Sequence, residues 1–218
     1  LLAPALVLAL AGGPAAMAEP VSGLYVGVGA GYNAPRNVTI PTSTWAQVKT
    51  NGGLAAIGQI GWGFGNGLRI EAEGSYRTIP ASGVTGYRDR PGAGSMNTAG
   101  LMVNALYDLD LGVRWVTPYA GVGVGAAWTT LANMTIFTIT NQLETATGTQ
   151  IRPAAQGILG TSFPIDAVPG LSLTTEYRIF AALGSTHYAS RLSPANVKGT
   201  LTLGPSLSQS VTLGARYA

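Results

Sequence analysis

The chain has 218 residues with 12 Lys+Arg, 9 Asp+Glu, one His and no Cys, which gives a formal net charge of +3. No disulfide framework or Cys-based zinc site is possible, and with two lysines the chain is poorly equipped to bind nucleic acid. Only 10% of the residues are charged although 46% are hydrophobic, whereas soluble domains usually carry about 25% charged residues, so the composition indicates a non-aqueous environment.

Residues 1–18 have the pattern of an export signal. The apolar run LLAPALVLAL is followed by Ala16-Met17-Ala18, a small-residue sequence that favours cleavage after Ala18. The run is shorter than the roughly 20 residues that a transmembrane helix needs. We therefore expect a signal peptide at 1–18 whose start lies upstream, and one domain at 19–218 that is exported.

The mature chain shows the two-residue side-chain repeat of β-strands. The repeat is clearest where Leu68 and Ile70 alternate with Arg69 and Glu71. Each such segment is close to the length of roughly ten residues that a tilted strand needs to cross a bilayer. The segments are residues 24–32, 54–64, 68–77, 101–109, 118–128, 155–163, 171–180 and 210–217.

The connections between these segments alternate in length. Residues 65–67, 110–117 and 164–170 are predicted to be short turns. The other connections are predicted to be long polar loops, at residues 33–52, 79–98, 129–150 and 183–208. Long loops at one rim and short turns at the other predict an all-β fold, an eight-stranded antiparallel up-and-down transmembrane β-barrel.

Alternation alone leaves two orientations open. A soluble, lipocalin-like barrel would place its apolar face inside, but its outer face would then be Gly, Ala and a few charges. We favour the reverse, because the aromatic residues of the apolar face lie near strand ends, as in lipid-facing belts at membrane interfaces. These residues are Tyr32, Trp62, Phe64, Tyr76, Tyr107, Trp128, Phe163 and Tyr217.

The opposite face carries four positive and four negative charges within the strands. Near the bilayer midplane an outward Arg or Lys would cost about 2–4 kcal/mol, whereas inside the barrel opposite charges can pair. We therefore predict an interior ion-pair network. Its members are Arg69, Glu71, Glu73, Arg77, Asp108, Glu176, Arg178 and Arg216.

Four segments resemble the OmpA-like outer-membrane β-barrel family. The resemblance implies an eight-stranded barrel with a charged, mostly plugged interior, surrounded by the lipids and lipopolysaccharide of a Gram-negative outer membrane. The segments are GLYVGVGAGY at 23–32, LRIEAEGSYR at 68–77, TPYAGVGVG at 117–125 and VTLGARY at 211–217.

The same resemblance implies interior pairs between Glu73 and Glu176 and the arginines Arg178 and Arg216. Barrels of this family usually end on an aromatic residue, and this sequence runs one residue past Tyr217. Some relatives continue into a periplasmic peptidoglycan-binding domain.

Residues suited to catalysis are sparse. The single histidine, His187, lies near Ser190, and this pair supplies the residue types of lipid A-modifying barrel enzymes without a motif. The glycines of 121–125 lack the spacing and following helix of a dinucleotide site. We predict no catalytic residue, no metal site and no cofactor.

The favoured function is that of a structural outer-membrane barrel whose loops bind an extracellular ligand in adhesion or recognition. The alternatives are a narrow porin-like channel, a lipid A-modifying enzyme that uses His187, and a soluble exported binding barrel.

Overall fold

The computed structural model describes residues 20–36, 38–39, 47–85, 90–91, 93–137, 143–193 and 197–218. Residues 1–19, which include the predicted signal peptide, lie outside this range. Within the described residues every regular element is a strand, and no helix is long and apolar enough to cross a membrane. The strands are β1 (Ser22–Pro35), β2 (Val38–Thr39), β3 (Gln47–Thr50), β4 (Gly53–Phe64), β5 (Leu68–Thr85), β6 (Arg90–Pro91), β7 (Ala93–Asp108), β8 (Thr117–Phe137), β9 (Leu143–Pro164), β10 (Leu171–Ala182), β11 (Thr186–Ser193), β12 (Val197–Leu203) and β13 (Ser206–Tyr217).

Eight of these strands close into an antiparallel barrel, which confirms the predicted fold. The order around the barrel is β1-β4-β5-β7-β8-β9-β10-β13, and β13 pairs with β1 to complete the circle. Each barrel strand pairs with the preceding and following barrel strands of the chain, as an up-and-down topology requires. Closure leaves no edge strand in the circle.

The two ends of the barrel differ in the length of their connections. At the short-turn end, β4 and β5 are joined through residues 65–67, and Gly65 and Gly67 there have φ angles of 72° and 90°. The Oδ1 of Asn66 accepts a hydrogen bond from the Leu68 amide at 3.1 Å, which fixes this turn. We call the opposite rim the hairpin end.

The prediction of long polar loops at the hairpin end is wrong for much of its length. β5 continues to Thr85, β8 to Phe137, and β9 begins at Leu143, so that β8 and β9 pair far beyond the predicted strand ends. β11 and β12 form a further hairpin that pairs with β9. Several predicted loop residues, among them 40–46 and 138–142, lie outside the described residues.

The strand extensions escaped prediction because the alternation reverses there. Within the barrel the outward side chains are apolar: Leu213 is 70% exposed and Val122 is 68% exposed. In the extensions, polar side chains such as Thr149 point outward, and apolar ones point inward. A register shift between Leu131 and Met134 changes the phase as well. We name the inward apolar group the hairpin cluster; it comprises Ile79, Met96, Leu131, Met134, Ala146, Tyr188, Leu201 and Leu203.

Candidate functional site: the barrel interior

The charged side chains singled out from the sequence all point into the barrel. β5 contributes four of them at two-residue or four-residue spacing, and β7, β10 and β13 contribute the others. Each of the eight is at most 7% exposed. The structure therefore places Arg69, Glu71, Glu73, Arg77, Asp108, Glu176, Arg178 and Arg216 in one buried column.

The part of this column nearest the short turns is centred on Arg69. Its Nη2 lies 2.8 Å from Asp108 Oδ1, and its Nη1 lies 3.2 Å from Glu71 Oε1. The hydroxyl of Tyr25 donates to the same Glu71 oxygen at 2.7 Å. The Arg69 guanidinium also lies 4.7 Å from the centre of the Tyr119 ring, within the range of a cation–π contact.

The middle of the column is centred on Arg178. Its Nη1 lies 2.5 Å from Glu73 Oε2, and its Nη2 lies 2.8 Å from Glu176 Oε2. Glu73 Oε2 also accepts hydrogen bonds from Asn104 Nδ2 at 2.7 Å and from Gln156 Nε2 at 2.9 Å. Charge-assisted hydrogen bonds of this kind are the strong ones, so this group holds the four strands β5, β7, β9 and β10 together.

Tyr119 joins the two groups. Its ring covers Arg69, and its hydroxyl donates to Glu176 Oε1 at 2.6 Å. Inward glycines make room for such large side chains. A Cβ on Gly160 would lie 2.3 Å from the Tyr119 ring, and one on Gly61 would lie 2.4 Å from the Tyr25 ring.

Two arginines of the expected network have no carboxylate at ion-pair distance among the described residues. Arg77 donates to Ser75 Oγ at 2.8 Å and stacks 4.0 Å from the Phe180 ring. Arg216 donates to Ser162 Oγ at 3.1 Å. The pairing that the family resemblance implied is thus corrected for Arg216, because Arg178 takes both Glu73 and Glu176.

Sequence reasoning missed a fifth interior arginine. Arg152 on β9 is 4% exposed and donates to Thr129 Oγ1 at 3.2 Å and to Ser206 Oγ at 3.1 Å. The predicted strand began at residue 155, so Arg152 fell outside it. Arg152 lies four residues before the inward-facing Gln156, so the two-residue repeat places it on the same inward face. A predicted strand that began earlier would have included it. The buried charges of the described residues are therefore five arginines and four carboxylates.

The expected aromatic belts lie on the outer surface. Seven of the eight residues are 37–59% exposed, and Trp128 is half-buried. Trp115 in a short turn and Tyr177 on β10 are further exposed aromatic residues. The seven are Tyr32, Trp62, Phe64, Tyr76, Tyr107, Phe163 and Tyr217.

His187 and Ser190 do not come together. His187 is exposed on β11, and its Nδ1 lies 2.9 Å from Thr202 Oγ1. Ser190 is three residues further along the strand, so it faces the interior and is 3% exposed. In the part of the chain that the structure describes, no three His, Asp or Glu side chains form a group that could hold a metal ion.

The chain matches a family model described as the outer membrane protein beta-barrel domain over residues 3–200. An outer membrane protein of Gluconacetobacter diazotrophicus is 36% identical over 188 residues, which cover 76% of this chain and 48% of that protein. The chain therefore spans about half the length of this curated relative.

Two solved structures share the fold at low sequence identity. The outer membrane protein OprG from Pseudomonas aeruginosa has a TM-score of 0.57 and 11% identity, with 92% of this chain and 98% of that chain covered. Neisserial surface protein A has a TM-score of 0.53 and 16% identity, with 90% and 97% covered.

Proposed function

Because the chain belongs to the outer membrane protein beta-barrel domain family and lies in the outer membrane, we propose that it is an OmpA-like structural barrel with a closed interior. Its hairpin end faces outward from the cell and acts in adhesion or recognition. The observation that carries the proposal is that two different sets of buried side chains, one charged and one apolar, follow each other along the barrel axis.

The charged column supports a closed interior within the membrane. An eight-stranded barrel is just wide enough for its own side chains to fill. The Arg178 guanidinium reaches across the lumen to Glu73 on β5 and also pairs with Glu176 on its own strand. Opening a path there means breaking a buried pair, at a cost of about 3–5 kcal/mol.

The hairpin cluster supports a second barrier to water and solutes, located in the strand extensions beyond the charged column. Its eight members are at most 4% exposed. The Tyr188 hydroxyl donates to the Thr129 carbonyl at 3.2 Å, and burial raises the pKa of Tyr188, which keeps the phenol neutral. An apolar group of this size in the strand extensions also makes the hairpins a packed unit rather than free loops.

The outer surface of the β11–β12 hairpin supports a recognition role for an acidic partner. Arg191 and Lys198 are exposed and lie directly opposite each other in the register. The paired strands β11 and β12 hold these two positive charges side by side at a fixed spacing on the outer surface, an arrangement that suits an acidic partner.

Attachment assays test the recognition role. Bacteria that display the chain should attach to immobilised acidic polysaccharide or acidic protein, and the double variant Arg191→Ser, Lys198→Ser should attach less. A matched control replaces the outward Thr149 by Ser on the neighbouring strand. Equal attachment of the double variant and the control would contradict the role.

The same proposal assigns no catalytic role to His187. The side chains that a lipid-modifying reaction would combine, His187 and Ser190, lie on opposite faces of β11. His187→Ala should leave the acylation pattern of lipid A unchanged in cells that express the chain. A change in that pattern would favour the enzyme.

A narrow channel is the second candidate. Several buried polar atoms have no hydrogen-bond partner among the described residues, including Glu73 Oε1 and Gln156 Oε1. Such atoms favour a network that can rearrange around water. Recording from the purified protein in planar bilayers separates the two candidates: we expect no discrete conductance steps, and reproducible steps would favour the channel.

A further inference from the structure

A small cavity lies between the charged column and the hairpin cluster. Its volume is about 10 Å³, close to the size that holds one water molecule. Arg77 and Phe180 line one side, the β13 residues Ser206 and Ser208 line another, and the exposed Arg36 stands at the rim. Arg36 and Arg77 are the charged residues of the lining, and both are cations.

Arg77 meets the cavity with unused donors. The side chain is 0% exposed, and a guanidinium stays charged in a protein. Nη1 donates to Ser75 Oγ at 2.8 Å, but Nε and Nη2 have no hydrogen-bond partner among the described residues. These two nitrogens carry three N–H groups. A buried cation in this condition is costly unless a negative charge accompanies it.

The surrounding charges do not supply that partner. Glu73, on the same strand as Arg77, pairs with Arg178 through Oε2, and Nε and Nη2 of Arg77 receive no hydrogen-bond partner from it. On the other side, Arg152 donates to the Ser206 hydroxyl that lines the cavity. Arg36 and Arg77 therefore line the cavity, Arg152 contacts its lining through Ser206, and no carboxylate lines it.

We propose that this cavity binds a single halide-sized monovalent anion, held by Nε and Nη2 of Arg77. The volume limits the ligand to a species close in size to one water molecule. A halide is the class of anion nearest that size, whereas phosphate, sulfate and organic carboxylates are far larger. The ring of Phe180 covers the guanidinium on one face at 4.0 Å and leaves the donors in its plane for the anion. The anion would offset the fifth interior arginine.

Chloride-dependent stability tests the site. The protein is unfolded by urea in detergent micelles while chloride replaces gluconate, from about 10 mM to about 500 mM at constant ionic strength. Gluconate serves as the reference because it is too large for the cavity. We expect the urea midpoint to rise with chloride and then level off. A midpoint that is independent of chloride, as expected for water alone, would overturn the proposal.

Two variants separate this site from general salt effects. Arg77→Met should remove the chloride response, whereas Arg216→Met should keep it, because Arg216 also lacks a carboxylate partner but lies at the short-turn end. Equal chloride responses in the two variants would contradict the assignment to Arg77.

A direct location of the anion does not depend on how the variants fold. Crystals of the unmodified protein grown in sodium bromide should show an anomalous scattering peak at hydrogen-bond distance from Arg77 Nε and Nη2. Bromide peaks confined to exposed surface residues would overturn the proposal.

Discussion

The barrel wall and the strand extensions above it use the same two-residue alternation with opposite sense. In the wall, Val103 and Leu213 point outward, and the arginines and carboxylates point inward. In the extensions, Leu131 and Leu201 point inward, while Thr149 and His187 point outward. The backbone is continuous through the change in β8 and β9.

The solvent outside each region explains this difference. Lipid surrounds the wall, so the wall buries its charges and exposes its apolar side chains. Water surrounds the extensions, so they bury apolar side chains as a soluble sheet does. We propose that the level at which the alternation reverses, near Tyr76 and Trp128, marks the membrane boundary.

The largest effect is expected in the charged column. Glu73→Ala leaves Arg178 with half of its carboxylate partners, and Glu176→Ala does the same; breaking a buried pair costs about 3–5 kcal/mol. The urea midpoint in detergent micelles should fall for both variants. Adding Arg178→Met to Glu73→Ala also takes the arginine partner from the buried Glu176, so the double variant should lose more stability than Glu73→Ala alone. Unchanged midpoints in both single variants would contradict the paired, inward placement.

The hairpin cluster should respond locally. Leu131→Ala removes a buried side chain that is 2% exposed, at a cost of about 2–5 kcal/mol. We expect faster hydrogen exchange of the amides of residues 130–137 in β8 and 143–149 in β9, while the heat-dependent gel mobility of the barrel stays as in the unmodified protein. Exchange that rises equally in the wall would show that the two regions unfold together.

An arginine introduced at an outward position should destabilise the wall but not the strand extensions. Val103→Arg places a charge against lipid, at a cost of about 2–4 kcal/mol near the midplane. Thr149→Arg, on the outward face of the extension, should change stability by no more than about 0.5 kcal/mol. Unfolding midpoints of the two variants check this contrast, and equal losses would remove the proposed boundary.

The smallest effect is expected for an exposed ion pair. Arg114 and Asp166 lie 3.4 Å apart in two neighbouring short turns, and their side chains are 65% and 84% exposed. Such pairs contribute about 0–1 kcal/mol. Asp166→Ala should therefore barely move the urea midpoint, which makes it the control for Glu73→Ala. If Asp166→Ala lowered the midpoint as much as Glu73→Ala, burial would not determine how much an ion pair contributes to stability.

The sequence predicted the wall well because lipid enforces a strict alternation there. Every charge named on the inward face of β5 is buried, from Arg69 to Arg77. The ion-pair partners of the charged side chains were harder to predict than the inward direction of those side chains. The pair Glu176–Arg178 is visible in the two-residue spacing of β10, but the pair Arg178–Glu73 depends on positions across the lumen and leaves no mark on local spacing.

The extensions were hidden for a different physical reason. The outward face is apolar only where it meets lipid. Beyond that level the strands continue with polar outward residues, so an apolar repeat no longer marks them. The register shift before Met134 then disrupts the period further. Arg152 was lost for the same reason, and with it the excess of positive charge beside the cavity.

We propose that β8 passes as one continuous strand from lipid to water and that its alternation of apolar and polar side chains reverses on the way. Because the chain has no Cys, single cysteines can carry a spin label without background. Labels at Val122, Val124, Thr130 and Thr149 in reconstituted bilayers should be compared for collisions with oxygen, which partitions into lipid, and with a water-soluble nickel chelate. We expect oxygen access at Val122 and Val124 and chelate access at Thr130 and Thr149. Chelate access at Val122 and Val124 would contradict this proposal.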